Sequence, residues 1–155
     1  MTELTDALGS GTDSSTASDV ELLTEAFGRT RFVHLRRDDT VAQAVSWARA
    51  EQTHFWHPGE PVAPGVHKPH FDRDLIGGLV DTITAHEAAW QAWFAHRGLV
   101  PHEVAYEDLG AAPTGVTRIV LEFLGLDPSA GGTITVHDHR QADDLSADWI
   151  ARFRG

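Results

Sequence analysis

The sequence contains no cysteine, few basic residues and no long apolar run. Without cysteine, the chain can form neither disulfides nor thiolate metal sites, and it has no thiol nucleophile. Its 12 Lys and Arg residues against 23 Asp and Glu residues give a net charge of −11. That balance argues against nucleic-acid binding through a basic face. No apolar stretch approaches the roughly 20 residues of a membrane-spanning helix. We therefore expect a protein that binds neither nucleic acids nor membranes.

The first residues of the chain predict a flexible tail. Residues 1–17 are rich in Ser, Thr, Gly and Asp, and they have neither the basic segment nor the apolar segment of a secretory signal. They cannot bury enough apolar area to offset the entropy lost on ordering. We expect structure to begin near residue 18, a single folded unit over residues 18–155, and a cytoplasmic location.

Apolar periodicity predicts helices that alternate with short strands. The predicted helices are 18–28, 41–53, 73–97, 115–126 and 146–153, the predicted strands are 31–35 and 102–106, and a further extended piece is 133–136. Such alternation indicates an α/β fold with a parallel sheet. Strand 31–35 is apolar and is expected to be buried on both faces. Two strands are too few for a stable sheet, so either further strands exist or another chain completes the sheet.

Capping residues and apolar stripes define the predicted helices further. Thr40 and Gln43 form a capping box for the second helix, and Asp72 is expected to cap the third. Gly125 suits a Schellman end for the helix that precedes it. In the first helix, Val20, Leu23 and Phe27 are expected to face inward.

Two arginines lie between the first predicted strand and the helix after it. Arg36 and Arg37 follow the carboxyl end of a strand, where ligands bind in open α/β sheets. The N-terminus of a helix favours anions, and guanidinium groups bind phosphate or sulfate bidentately. Ser46, further along the same helix, offers a hydroxyl donor. The pattern also allows a second interpretation, in which the arginines pair with Asp38, Asp39 or other nearby acids on the surface.

A proline-rich loop carries a second group of candidate residues. Its histidines are His54, His57, His67 and His70. Neutral imidazoles bind zinc, but these spacings fit no standard zinc motif, so solvated histidines without a metal are favoured. Trp56 of the same loop is the tryptophan best placed to stack on a ligand.

The segment Tyr106-Glu107-Asp108-Leu109 follows the second predicted strand. Acids at that position can act as a general base or as metal ligands. They can equally serve as capping and packing residues at a strand-to-helix turn. The sequence leaves these interpretations open.

Three segments together resemble a known enzyme family. RFVHLRRDDTVAQAVSWARAEQT resembles the 3′-phosphate-binding segment of bacterial sulfotransferases of the trehalose 2-sulfotransferase type. EVAYEDLGAAPTGVTRIVLEFLGLD resembles a later segment that sulfotransferases share widely, and RQADDLSADWIARFR resembles the C-terminal end of this family. The resemblance covers residues 19–154. It implies a helix-rich, three-layer parallel-sheet fold of the P-loop-like sulfotransferase kind, incomplete in this chain.

The resemblance also implies an activity. The family transfers a sulfuryl group from 3′-phosphoadenosine 5′-phosphosulfate (PAPS) to a carbohydrate hydroxyl, in the known case on trehalose, and the site needs no metal. By the same resemblance, Arg37, or with a one-residue shift Arg36, holds the 3′-phosphate of the donor together with Ser46. Arg140 resembles a basic residue that closes over the nucleotide.

One part of the family pattern has no counterpart in the sequence. Family members begin with a strand and a glycine/serine loop that cradles the 5′-phosphosulfate, and their glutamate base lies in the same half. We therefore expect the C-terminal portion of a sulfotransferase, truncated, inactive alone and without an assigned catalytic residue. The alternatives are an enzyme completed by a partner chain and a non-catalytic nucleotide-binding or interaction protein. Because an unpaired apolar strand edge templates association, we also expect a homo-oligomer.

Overall fold

The computed structural model describes residues 19–54, 68–132, 134 and 144–155. In chain order, the elements are α1 (Asp19–Phe27), β1 (Val33–Arg36), α2 (Thr40–Thr53), α3 (Arg73–His96), β2 (His102–Ala105), α4 (Tyr106–Ala111), α5 (Pro113–Leu124), a 3₁₀ turn (Pro128–Gly131) and α6 (Asp144–Arg154). The helix-rich α/β alternation is confirmed, but α4 and the 3₁₀ turn were not predicted, and Tyr106, predicted to end the second strand, begins α4. The predicted tail and most of the predicted extended piece at 133–136 lie outside the described residues.

The two strands form a small parallel sheet. His34 of β1 lies beside Glu103 of β2, and Arg36 lies beside Ala105. The chain passes from β1 to β2 through α2 and α3, as parallel pairing requires a long crossover. Because the strands run in the same direction, the residues that follow them meet at one edge of the sheet. The three-layer, P-loop-like arrangement involves more strands than this part of the chain contains, and it stays a prediction.

The described residues cover only one face of β1. His34 is 7% exposed and packs on Phe94 of α3, with 5.5 Å between the ring centres. Alternate residues of a strand point to opposite faces, so Val33 and Leu35 lie on the other face, where Leu35 is 54% exposed. The prediction that this strand is buried on both faces is therefore wrong for the described chain. An apolar run does not reveal whether a neighbouring element is there to cover it.

The hydrophobic core lies among α2, α3 and α6. Its buried members are Ala44, Val45, Ala48, Ile76, Ile83 and Trp149. Ala44 and Ala48 are one turn apart on α2, and their small side chains let α3 approach closely. Trp149 is fully buried and joins α6 to this pair of helices. The core thus joins α6, near the end of the chain, to α2 and α3.

Helix α3 has the capping residue that the sequence predicts. The Asp72 side chain accepts hydrogen bonds from the backbone N–H groups of Asp74 and Leu75. After His96, the chain turns at Gly98, which adopts a φ of +62°. No helix among the described residues, α3 included, is long and apolar enough to cross a membrane.

Helix α2 is capped by a different residue from the one expected. Asp39 accepts a hydrogen bond from the Ala42 N–H at 3.0 Å, and its carbonyl oxygen accepts from the Gln43 N–H. The predicted capping box of Thr40 and Gln43 is therefore wrong, since the N-cap lies one residue earlier. Both Asp and Thr are good N-caps, so adjacent candidates cannot be separated by residue type alone.

Helices α1 and α5 leave apolar side chains on the surface. Phe27 of α1 is 74% exposed, so the expectation that it faces inward is wrong. Helix α5 ends as predicted: Gly125 adopts a φ of +77°, and the Leu126 N–H donates to the Leu121 carbonyl in a Schellman motif. Ile119 of α5 is nevertheless exposed. Correct helix ends therefore do not imply that the apolar stripe between them is buried.

Candidate anion-binding site at the sheet edge

The arginine pair and the start of α4 lie at the same edge of the sheet. Arg37 follows β1 directly, Tyr106 follows β2 directly, and the register pairs Arg36 with Ala105. The Arg37 guanidinium lies 4.6 Å from the centre of the Tyr106 ring. This is the cation–π geometry in which a ring face attracts a positive charge. The structure thus brings together two motifs that the sequence separates by about 70 residues.

Arg37 is held in a defined orientation. Its Nε lies 3.6 Å from Oε1 of Glu107, beyond hydrogen-bond distance, and its side chain is 24% exposed. The Nε atom itself is buried and has no hydrogen-bond partner within the described ranges. The Tyr106 ring and the Glu107 carboxylate therefore position the guanidinium.

Arg36 is engaged with neighbouring carboxylates. Its Nη1 donates to Oδ1 of Asp38, and its Nε lies 3.4 Å from Oε2 of Glu103. The charge of Asp38 first, and that of Glu103 after it, raises the pKa of Arg36 against the effect of desolvation. The second interpretation of the arginine pair, surface pairing with nearby acids, thus describes Arg36 in this structure.

Glu107 ties the two sides of the site together. Its Oε2 accepts a hydrogen bond of 3.1 Å from the backbone N–H of Asp38. Desolvation acts to raise the pKa of Glu107, but backbone N–H groups and the charge of Arg37 outweigh it and hold the pKa below its ordinary value. Glu107 is consequently ionised at neutral pH, and its carboxylate stabilises the turn after β1.

Arg154 reaches the site from the far end of the chain. Its Nη2 donates a hydrogen bond of 2.7 Å to Oδ1 of Asp39, the N-cap of α2. Sequence analysis did not identify Arg154 as part of the site. The two residues are 115 positions apart, and no local pattern signals such a contact.

Ser46 lies on α2, away from its first turn. It is exposed, and it follows the N-cap by seven residues. Seven residues make almost two turns, so Ser46 lies on the same side of α2 as Asp39, about 9 Å further along the axis than Thr40. The structure therefore unites Arg36 and Arg37 at the sheet edge and places Ser46 further along the helix. Arg140 lies outside the described residues.

Only the two ends of the histidine-rich loop are among the described residues. His54 and His70 flank it, whereas Trp56, His57 and His67 lie outside the described residues. Across residues 19–54, 68–132, 134 and 144–155, no cluster of three or more His, Asp or Glu side chains is arranged to hold a metal ion.

The balance of charge defines what the site can do. Around the turn after β1 lie the guanidiniums of Arg36, Arg37 and Arg154 and the carboxylates of Asp38, Asp39, Glu103 and Glu107. The carboxylates outnumber the guanidiniums, so an anion must share or replace a carboxylate partner. Arg37 has the longest ion-pair distance of the three arginines, which makes it the arginine best able to accept an external anion.

Comparison with known proteins points to one family. The model of the family "Stf0 sulphotransferase" matches residues 3–155. A trehalose 2-sulfotransferase of Mycobacterium tuberculosis is 34% identical over 123 residues, and one of Mycolicibacterium smegmatis is 35% identical over 122 residues. Each match covers 79% of this chain and 45% of the relative. The chain therefore spans less than half the length of these two relatives.

Proposed function

Because the chain belongs to the Stf0 sulphotransferase family, we propose that it binds the nucleotide part of PAPS. The observation that carries this proposal is the Arg37 guanidinium, stacked on Tyr106 at the carboxyl edge of a parallel sheet, with a long ion pair of 3.6 Å to Glu107 and a side chain that is 24% exposed. An oriented and partly exposed guanidinium suits a phosphate oxyanion, since such pairs form bidentate, charge-assisted hydrogen bonds. The bound group is the 3′-phosphate of the donor.

We propose distinct roles for the predicted site residues. Arg37 supplies the main charge on the 3′-phosphate, and Arg36 contributes less because Asp38 and Glu103 already neutralise it. Ser46 donates its hydroxyl from the exposed side of α2. Arg140 closes over the nucleotide. No metal takes part, because guanidiniums provide the positive charge.

The reaction that we propose for the site is sulfuryl transfer to a trehalose-like sugar. The bond between sulfur and the bridging oxygen of the 5′-phosphate breaks, and a new sulfur–oxygen bond forms to a sugar hydroxyl. The proton of that hydroxyl passes to the glutamate base that the family resemblance implies in the other half of family members. The nucleotide leaves as adenosine 3′,5′-bisphosphate. The proposed acceptor, trehalose, is taken from the names of the two relatives. Since the chain spans 45% of their length, we propose that it supplies the 3′-phosphate part of the site and is inactive alone.

Titration of the purified chain with adenosine 3′,5′-bisphosphate tests the proposal. We expect saturable binding that is about tenfold or more tighter than binding of adenosine 5′-monophosphate, because one charge-assisted phosphate contact distinguishes the two ligands. Circular dichroism of the same sample establishes that the chain is folded. A folded chain that binds neither nucleotide at millimolar concentration would contradict the proposal.

A second candidate is an enzyme that another chain completes. On one face of β1, Val33 is 41% exposed and Leu35 is 54% exposed, and exposed apolar strands favour association. Sedimentation measures this directly: assembly into a dimer or larger species supports the candidate, whereas a monomer with a sharp thermal transition argues against it.

A further inference from the structure

Asp39, in the turn after β1, accepts hydrogen bonds from both α2 and α6. Its Oδ1 accepts one hydrogen bond from the Ala42 N–H, which caps α2, and another from Arg154 in the last turn of α6. Partial burial acts to raise the pKa of Asp39, but the Ala42 N–H, then Arg154, then the charge of Arg37 lower it below the ordinary value. A full negative charge is therefore fixed beside the arginine pair at neutral pH.

That fixed charge opposes the ligand that the site is proposed to bind. A phosphate that approaches Arg37 meets the electrostatic repulsion of a carboxylate that cannot turn away without uncapping α2. Arg154 offsets this repulsion, since its guanidinium lies against the carboxylate at 2.7 Å. We propose that Arg154 is a positioning residue for phosphate binding, acting through Asp39 to make the arginine turn acceptable to an anion. This inference rests on the proposed function.

The placement of Arg154 follows from how α6 is docked. Trp149 is buried in the core between α2 and α3, and Arg73 of α3 donates a hydrogen bond to the Arg152 carbonyl. These contacts fix α6 against α2 and α3, and Arg154 in its last turn reaches Asp39 at the N-cap of α2. Arg152, two residues earlier and as exposed as Arg154, instead pairs with Asp148 and lies over Phe71. It is therefore a matched control on the same helix.

The experiment compares two nucleotides on each variant of the full chain. Adenosine 3′,5′-bisphosphate and adenosine 5′-monophosphate differ at the 3′-phosphate. The dissociation constant of the monophosphate divided by that of the bisphosphate therefore reports the contribution of that phosphate alone. We expect Arg154→Ala to lower this ratio about 5- to 10-fold, as one unscreened charge near a phosphate would do. Arg152→Ala should leave the ratio within about twofold of the wild type, even if it lowers stability.

A double variant separates electrostatic positioning from simple structural support. Asp39→Asn keeps a residue that caps helices well and removes the charge. If Arg154 acts by neutralising Asp39, the Asp39→Asn/Arg154→Ala variant should regain a ratio within about twofold of Asp39→Asn alone. A purely structural role for Arg154 predicts no such recovery.

Each remaining outcome overturns the inference in a recognisable way. Equal loss of both nucleotides in Arg154→Ala, with the ratio unchanged, would show that Arg154 only supports the fold. A lowered ratio that Asp39→Asn does not restore would show that Arg154 does not act through Asp39. A wild-type chain that does not distinguish the two nucleotides would overturn the proposed function itself.

Discussion

The guanidinium of Arg37 lies over the ring of Tyr106, with 4.6 Å between the guanidinium carbon and the ring centre. This contact links the end of β1 to the start of α4 across the sheet edge. It orients Arg37 without consuming its hydrogen-bond donors, because the ring attracts the cation through its face. Arg36, one residue earlier, is instead held by two carboxylates.

The two arginines should therefore contribute unequally to nucleotide binding. We expect Arg37→Ala to weaken adenosine 3′,5′-bisphosphate binding by about 10- to 150-fold, the value of one charge-assisted hydrogen bond. Arg36→Ala should weaken it by less than about threefold. Calorimetric titration of both variants measures the difference. Equal losses, or a larger loss for Arg36→Ala, would reverse the assignment.

Tyr106 should matter through its ring and not through its hydroxyl. We expect Tyr106→Leu to weaken binding of the same nucleotide by about 2- to 5-fold, since an exposed cation–π contact contributes modestly. Tyr106→Phe keeps the aromatic face and should bind like the wild type. If the phenylalanine variant binds as weakly as the leucine variant, the hydroxyl must act directly on the ligand.

The core of the three helices should depend strongly on Trp149. Trp149→Ala removes a fully buried side chain from between α2 and α3, and we expect the free energy of unfolding to fall by about 3–5 kcal/mol. Trp90→Ala is the comparison, because Trp90 is partly exposed; its loss should be below about 2 kcal/mol. Urea denaturation followed by circular dichroism gives both values. Similar losses would place the stabilising core elsewhere.

Stability should decrease in acid because of Asp39 and Glu107. Their pKa values are lowered in the folded chain, so both favour folding above the ordinary carboxyl pKa of about 4. The contribution is lost as pH falls from about 5 through their lowered folded pKa values. Thermal denaturation between about pH 6 and pH 3 should show this loss, and Asp39→Asn should reduce it. An unchanged pH profile in Asp39→Asn would count against the ionised N-cap.

Turnover should be absent in the isolated chain. Its match to two trehalose 2-sulfotransferases covers 45% of their length, so most residues of those relatives lie outside the match. We expect no transfer of radiolabelled sulfate from PAPS to trehalose by the purified protein, with a full-length relative as the positive control. Measurable product would show that these residues are dispensable, and Glu107 at the sheet edge would then be the first carboxylate to replace in search of a base.

Features of the fold that depend on neighbouring residues in the chain could be predicted from the sequence. Asp72 caps α3 and Gly125 ends α5 as expected, because each signal acts within one helical turn. The exposure of Leu35 could not be predicted, since it depends on what packs against the strand. In the same way, the position of the arginine turn was predictable, but the contact from Arg154 to Asp39 was not.

The sheet edge joins residues that are far apart in the chain, and this affects the order in which the protein folds. The hydrogen bond from the Asp38 N–H to Glu107 joins residues 69 positions apart. Contacts between such distant residues form slowly, because the intervening chain must first lose much of its conformational entropy. Helices α2 and α3 lie within that interval and can begin to form from local contacts. We therefore expect the sheet edge, with Arg37 on Tyr106, to be among the last parts of the protein to fold and among the first to open.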